Sequence, residues 1–173
     1  MGAITKRKGI IELLDAIKIV EDSFQTININ IFLIGTGPLD NYIDKFIIEN
    51  NLKIRIIRKK KISERQKSKI LKNSDIFILQ SDHEGLPMAI LEAMACGLLI
   101  ITTPVGGIPD VVINKKNGLL ISPHNTNELV DAMNWVIENP LQTQKIRLNN
   151  IKSSIHYSWE KIDEVYHKLL QLN

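Results

Sequence analysis

One cysteine, Cys96, stands in 173 residues. That excludes an internal disulfide framework and places the chain in a reducing, cytoplasmic setting. At the end of an apolar helix, Cys96 reads as a small buried hydrophobe rather than a reactive thiol. No apolar run approaches the length of a bilayer span, and nothing at the amino terminus has the make-up of a signal peptide. There is no Asp-x-Asp pair, no zinc-spaced set of His and Cys, and no Gly-x-Ser-x-Gly elbow, so neither a metal nor a serine nucleophile is expected. The chain also lacks internal repeats, linkers and low-complexity blocks.

What remains is a chain with 44% hydrophobic residues and a formal charge of +3, long enough for one domain with a sizeable core. Much of the basic excess lies in Arg55, Arg58, Lys59, Lys60 and Lys61, which read as a solvated strand end and loop. Nothing calls for a nucleic-acid partner. The periodicity predicts a helix over 10–21 and a strand ending at Ile34, where Ile27, Ile29 and Ile31 alternate with Asn28 and Asn30. A helix from Pro38 to about Glu49, a strand over 54–57 and a helix capped by Ser63 with Gln66 follow. Strands over 76–79 and 98–101, and around Leu119-Leu120-Ile121, alternate with a helix between Pro87 and Gly97 and a short one after Pro109. Helices then complete the chain: Asn125 with Glu128 caps one, Pro140 opens another, and Ser158-Trp159-Glu160-Lys161 starts a last one ending in Leu169-Leu170.

Short apolar strands alternating with helices predict an α/β, Rossmann-like doubly wound parallel sheet, with carboxyl-terminal helices and a ligand at the carboxyl ends of the strands. All nine glycines fall at the junctions so drawn, where positive φ or close backbone approach is wanted. Trp135, Trp159, Tyr166 and Leu170 read as core or inter-helix contacts.

Three turns stand on the ligand edge. Gly35-Thr36-Gly37-Pro38 follows a strand, but the third glycine of a dinucleotide fingerprint falls on Asp40, so the turn is either a tight connection or a phosphate contact through Gly37. Lys6, Arg7, Lys8 and Gly9 precede a helix start, where cations are unhelpful unless an anion binds; an exposed basic turn is the alternative. Gly106-Gly107 leads into the helix begun by Pro109, as a simple turn or as a close approach to ligand.

The most informative stretch is Ser81 to Gly97. A strand runs into a polar turn with Glu84 and Gly85, and then into a helix opened by Pro87 that carries Glu92 about one and a half turns in. A helix start beside a glycine offers free N–H groups and a positive dipole end to a phosphate, while two carboxylates accept from hydroxyl groups. Phosphate plus hydroxyls describes a sugar nucleotide. His83, a lone histidine on a polar turn, reads as a surface residue.

Taken together, Lys8-Gly9, Gly35-x-Gly37-Pro38, Glu84-Gly85-Leu86-Pro87 to Glu92-Ala93-Met94-Ala95-Cys96-Gly97, Val105-Gly106-Gly107-x-Pro109 and Asn117-Gly118-Leu119-Leu120 resemble family 4 of the retaining glycosyltransferases. The similarity runs along the whole chain and is to the carboxyl-terminal, donor-binding half of the two-domain GT-B architecture. The resemblance implies a UDP- or GDP-sugar donor, no metal or other cofactor, and transfer with retention through a front-face reaction. By the same resemblance, Lys8 pairs with the donor diphosphate, Glu84 meets the sugar hydroxyls and Glu92 holds the ribose hydroxyls. Backbone groups around Gly85, Leu86 and Pro87 contact sugar and phosphate.

Departures from the family pattern shape the remaining expectations. Gly2-Ala3 stands where members have Gly-Arg, a loss that Arg7 is placed to offset, and Arg58 stands where members often have glycine near the base. The acceptor-binding half, through which the enzyme would associate peripherally with the inner face of a membrane, lies outside the chain. In the sheet order 3-2-1-4-5-6 the strand before Gly2 is central, so without it the neighbouring strands are poorly paired. The chain then reads as an excised domain, a truncated product, or a half supplied with a partner. Two rival functions are a non-catalytic nucleotide-sugar binding module and a nucleotide-sugar epimerase.

Overall fold

The computed structural model describes residues 3–21 and 28–158, and beyond them residues 160, 161, 163 and 167. Trp159, Tyr166 and Leu170, expected on the last helix, and Ile27, expected at the start of the first strand, lie outside the described residues. A short 3-10 turn, Lys6–Lys8, leads through Gly9 into α1 (Ile10–Glu21). Then come β1 (Asn30–Ile34), α2 (Asp40–Asn50), β2 (Arg55–Lys59), α3 (Glu64–Lys72), β3 (Ile76–Leu79) and α4 (Met88–Ala95). The order continues with β4 (Leu99–Thr102), α5 (Ile108–Val111), β5 (Leu119–Leu120), α6 (Thr126–Glu138) and α7 (Pro140–Ser154).

The helix ends follow from local chemistry. Ser63 and Gln66 exchange side-chain and backbone bonds in a full capping box at α3, and Asn125 Oδ1 accepts from the Glu128 N–H, 3.0 Å away, at α6. Gly97 closes the turn after α4 at φ +73°, a left-handed conformation that disfavours other residues.

All strand pairs are parallel, as the alternation predicts. β4 is buried along its length because its two faces meet different cores. Leu99 and Ile101 pack with Leu14, Ile17 and Leu129 from α1 and α6, whereas Ile100 packs with Ile90, Met94 and Ile108 from α4 and α5. Each such side chain, fully buried, is worth about 1.5–3 kcal/mol. The fold is therefore a doubly wound α/β sheet with helices on both faces. α7 is fastened behind α4: buried Asn150 donates to Leu98 O at 2.6 Å, and Arg147 Nε donates to Gly97 O at 2.8 Å.

The sheet has a gap. β1 pairs with β2, and β3 with β4 and β5, but among the described residues β1 and β3 pair with each other nowhere. The poor pairing expected of neighbouring strands in this sheet thus falls between β1 and β3.

Two expectations need amendment. Arg58 is not part of a solvated basic run: its side chain is 11% exposed, held by Gly35 O at 2.8 Å and by the Asp40 carboxylate. Cys96 is half-buried rather than buried, and desolvation, the largest influence on it, pushes its thiol pKa up, away from thiolate chemistry. Among the described residues no helix is long and apolar enough to cross a membrane.

Candidate functional site

The carboxyl ends of β1, β3 and β4 gather the turns that the sequence singled out. Residue 4 is tied to the first of these ends: Ile4 N–H donates to Thr36 O at 2.9 Å, and a Cβ on Gly37 would collide with the Ile4 carbonyl. Gly37 is thus required for packing against the first loop. Its N–H donates to Asp40 Oδ1 at 3.2 Å, so the residue that broke the dinucleotide fingerprint closes this turn from within. The same loop is tied to β3, because Asp82 N–H donates to Arg7 O at 3.0 Å and Gly9, at φ +65°, packs against Gln80.

Lys8 is thereby delivered to Glu84. The two form an ion pair in which Lys8 is 28% and Glu84 11% exposed, and the buried Ser81 hydroxyl donates to the same Glu84 Oε1 at 2.6 Å. Both bonds fall on Oε1, and Oε2 has no hydrogen-bond partner among the described residues. A lysine and a carboxylate from segments 76 residues apart meet here at one point.

The Gly106-Gly107 turn backs this arrangement. Gly107 N–H donates to Gly85 O at 2.8 Å, and a Cβ on Gly106, whose φ is +55°, would strike the Glu84 carbonyl. Both glycines therefore act by letting one turn lie on the other. On its other side Gly85 is open, with nothing within 4 Å of where a Cβ would stand. Pro87 caps α4 without a side-chain bond, and the N–H groups of Leu86 and Met88 have no acceptor among the described residues. Free N–H groups at a helix start, an exposed Leu86 and Met88, and an adjacent lysine suit an anion attached to a larger body.

Glu92 lies on α4 and is engaged by a residue that the sequence did not single out. Lys67, on α3, places Nζ 2.8 Å from Glu92 Oε1 and 2.7 Å from Glu64 Oε2. Its hydrogen bonds to Glu64 and then Glu92 raise its pKa against the opposing effect of burial, so it is a fixed cation.

A second missed cluster flanks Lys8. His124, at φ +55° in the loop before α6, places Nδ1 2.6 Å from Glu12 Oε1 and Nε2 3.2 Å from Asp82 Oδ2, and Arg7 Nε lies 3.3 Å from Asp82 Oδ1. Arg7 is therefore turned toward Asp82, with its two terminal nitrogens free of partners among the described residues. The bonds to Glu12 and Asp82 raise the His124 pKa. Burial raises the Asp82 pKa, but the bonds from His124 and Arg7 outweigh it and the net shift is downward. His83, the other histidine near the turn, is exposed as expected.

Comparison with known proteins places the chain in a family. The family model described as Glycosyl transferases group 1 matches residues 1–153. This corrects the resemblance to family 4: the family that fits is group 1. The chain is 32% identical over 174 residues to the uncharacterized glycosyltransferase MJ1178 of Methanocaldococcus jannaschii, covering 98% of this chain and 47% of that protein. The chain thus spans about half the length of the curated relatives it matches. It shares its fold with the C-terminal domain of a glycosyl transferase group 1 family protein, LpcC, from Francisella tularensis (TM-score 0.81, 23% identity, 92% of this chain and 84% of that chain). The same holds for Anabaena Alr3699/HepE in complex with UDP-glucose (TM-score 0.78, 22% identity, 99% of this chain and 48% of that chain).

Proposed function

The chain belongs to the glycosyl transferases group 1, and on that premise we propose that it is the donor-binding half of a two-domain, retaining glycosyltransferase that takes a UDP- or GDP-sugar. The observation that carries this reading is the Lys8–Glu84–Ser81 cluster beside the open start of α4. It puts a cation, free N–H groups and an unused carboxylate oxygen around one space. The UDP-glucose bound by the Anabaena protein of the same fold supports the class of ligand. The acceptor half lies outside the chain, and a cytoplasmic placement, at the inner face of a membrane if the acceptor half associates there, goes with this reading.

Each residue then has a task. The Leu86 and Met88 N–H groups and Lys8 hold the diphosphate, Glu84 Oε2 accepts from a hydroxyl of the transferred sugar, and Glu92 accepts from the ribose. Arg7 is close enough in sequence to add a second cation if it exchanges Asp82 for phosphate. In the reaction the bond from the anomeric carbon to the diphosphate oxygen breaks, and a bond to the acceptor oxygen forms on the same face. The acceptor proton passes to the departing phosphate. Lys8 and the α4 start stabilise the charge that builds on that phosphate, which is where preorganised donors lower a barrier. No metal enters these steps.

Calorimetry with UDP, GDP and their sugars, on this chain and on Glu92→Ala, tests the reading. Binding that tightens from nucleoside to nucleotide sugar and weakens in the variant is expected. A folded sample that binds none of them would refute it.

A further inference from the structure

A nucleotide sugar ends in a base, and the residues assigned so far meet only its sugar, diphosphate and ribose. On the proposed function these lie at Glu84, at Lys8 with the start of α4, and at Glu92, one turn beyond Met88 in that helix. The next element past Glu92 is α3. β2 ends at Lys59 and Ser63 caps α3 a short loop later, so the start of α3 stands at the carboxyl edge of the sheet, on the side where the ligand lies. Glu64 opens α3, and Lys67 follows one turn on. Lys67 Nζ is 2.8 Å from Glu92 Oε1 and 2.7 Å from Glu64 Oε2, so a single ammonium separates the ribose carboxylate from a second carboxylate.

Glu64 is open where Lys67 is enclosed: its side chain is 87% exposed against 20% for the lysine, and its Oε1 has no partner among the described residues. An exposed pair three residues apart on one helix contributes little to stability by itself. This lysine, however, is shared with Glu92 on another helix, which fixes Glu64 relative to the ribose. The base of a nucleotide hangs from the ribose carbon next to the one that bears the 2′-hydroxyl, so an acceptor one ammonium away from the ribose carboxylate is within reach of the base edge. Bases differ at that edge. An ionised carboxylate only accepts. Guanine offers N1–H and the exocyclic N2–H side by side, two parallel donors that match two carboxylate oxygens, the arrangement that makes fork-to-fork pairs strong. Uracil offers one N–H between two carbonyl oxygens, so a carboxylate that accepts from it also meets another acceptor. Adenine and cytosine set one amino donor beside an acceptor nitrogen.

We propose that Glu64, positioned by Lys67, reads the base of the donor and selects guanine, so that the sugar nucleotide is a GDP-sugar. This rests on the proposed function and narrows its two donors to one. Glu64 Oε1 accepts from N1–H, and Oε2, which keeps its bond to Lys67, accepts from N2–H, since each carboxylate oxygen has room for two donors. The same ammonium holds the acceptor for the base and the acceptor for the ribose, so the nucleoside is met by one connected unit spanning α3 and α4. Its bonds to Glu64 and then Glu92 raise the Lys67 pKa against burial, which keeps that link charged through neutral pH. Discrimination then comes from polar groups left facing the wrong partner, which rejects an analogue more strongly than a change of apolar contact does.

Calorimetry with GDP, inosine diphosphate and UDP, on the 173-residue chain and on Glu64→Ala and Glu64→Gln, tests the assignment. Inosine diphosphate keeps the N1–H of guanine and lacks only the amino group. The parent is expected to bind GDP about tenfold or more tighter than UDP, with inosine diphosphate between them, as the loss of charge-assisted bonds requires. Glu64→Ala should weaken GDP until the three ligands bind within about twofold of one another, and Glu64→Gln, which can donate as well as accept, should raise UDP relative to GDP. Because Glu64 is exposed, melting curves of both variants should match the parent. A parent that binds UDP as tightly as GDP would overturn the choice of guanine and leave the proposed function standing. Equal weakening of all three ligands in Glu64→Ala, or a preference for GDP that survives it, would overturn the role of Glu64, the first by reducing it to a support for Lys67. A folded chain that binds none of the three would overturn the proposed function and the base assignment with it.

Discussion

Lys67 Nζ stands 2.8 Å from Glu92 Oε1, so the carboxylate proposed for the ribose hydroxyls is already held by a cation from another helix. The pair is part-buried, and its lysine is anchored further by Glu64. Held in this way, Glu92 keeps one oxygen for the ligand and one for Lys67. Lys67→Met is expected to weaken UDP binding by a few-fold, in keeping with about 0.2–1 kcal/mol for an accessible pair. The loss should vanish for a nucleotide lacking both ribose hydroxyls. Calorimetry with the two ligands checks this; an equal loss for both would make Lys67 a general structural residue.

Lys8 carries a different expectation, because its partner Glu84 is 11% exposed and shares Ser81. Lys8→Met removes a charge-assisted bond to the diphosphate, worth about 1.5–3 kcal/mol. That corresponds to a loss of about tenfold to a hundredfold for UDP or a UDP-sugar, with little change for uridine. Titration of the three ligands against the variant decides it. Equal losses for uridine and UDP would place Lys8 away from the phosphates.

The difference between these two lysines shows what a sequence discloses. Lys8 drew notice as a candidate because it sits beside Gly9 just ahead of a helix start, where a cation is unhelpful unless an anion binds. The placement of Glu84 on a turn and Glu92 on a helix was legible because strand, turn, Pro87 and helix follow one another without interruption. Strand and helix alternation, the capping box at Ser63 and the two faces of β4 were likewise local or periodic signals. Lys67, Ser81 and His124 were not singled out, since each acquires its role from a partner on another element. Lys67 and Glu92 are 25 residues apart, and His124 and Glu12 are 112 apart. The same reason explains Arg58, which looked solvated in a basic run until the fold brought Asp40 to it.

Gly106 offers a test of the backing turn. At φ +55° a side chain costs about 1–2 kcal/mol from the backbone alone, and a Cβ would strike the Glu84 carbonyl. Gly106→Ala is expected to lower stability by more than that amount and to weaken sugar nucleotides more than free nucleoside, because the obstacle falls on the Glu84 turn. Urea unfolding and ligand titration measure the two effects separately. Gly85→Ala is the contrast: open space surrounds its Cβ position, so the fold should hold while a ligand lying against the turn is displaced.

His124 ties the loop before α6 to α1 through Glu12 and to the site turn through Asp82. Its folded pKa is raised, so the stabilisation it provides is fully present below the usual histidine value near 6.5 and is lost as pH rises through the folded value. Asp82 has the opposite sign: its pKa is lowered, and its contribution is present above the usual aspartate value and lost as pH falls through the folded one. The clasp is therefore complete in mildly acidic solution, where Asp82 is ionised and His124 charged. Glu12 adds to its weight, since its second carboxylate oxygen is buried without a partner among the described residues. His124→Gln keeps a polar side chain but cannot carry the charge. The variant is expected to melt below the parent near pH 6 and to approach it at pH 8 and above. Melting curves across that range check the sign, and a gap that widens toward alkaline pH would show that the imidazolium is not what holds the loop.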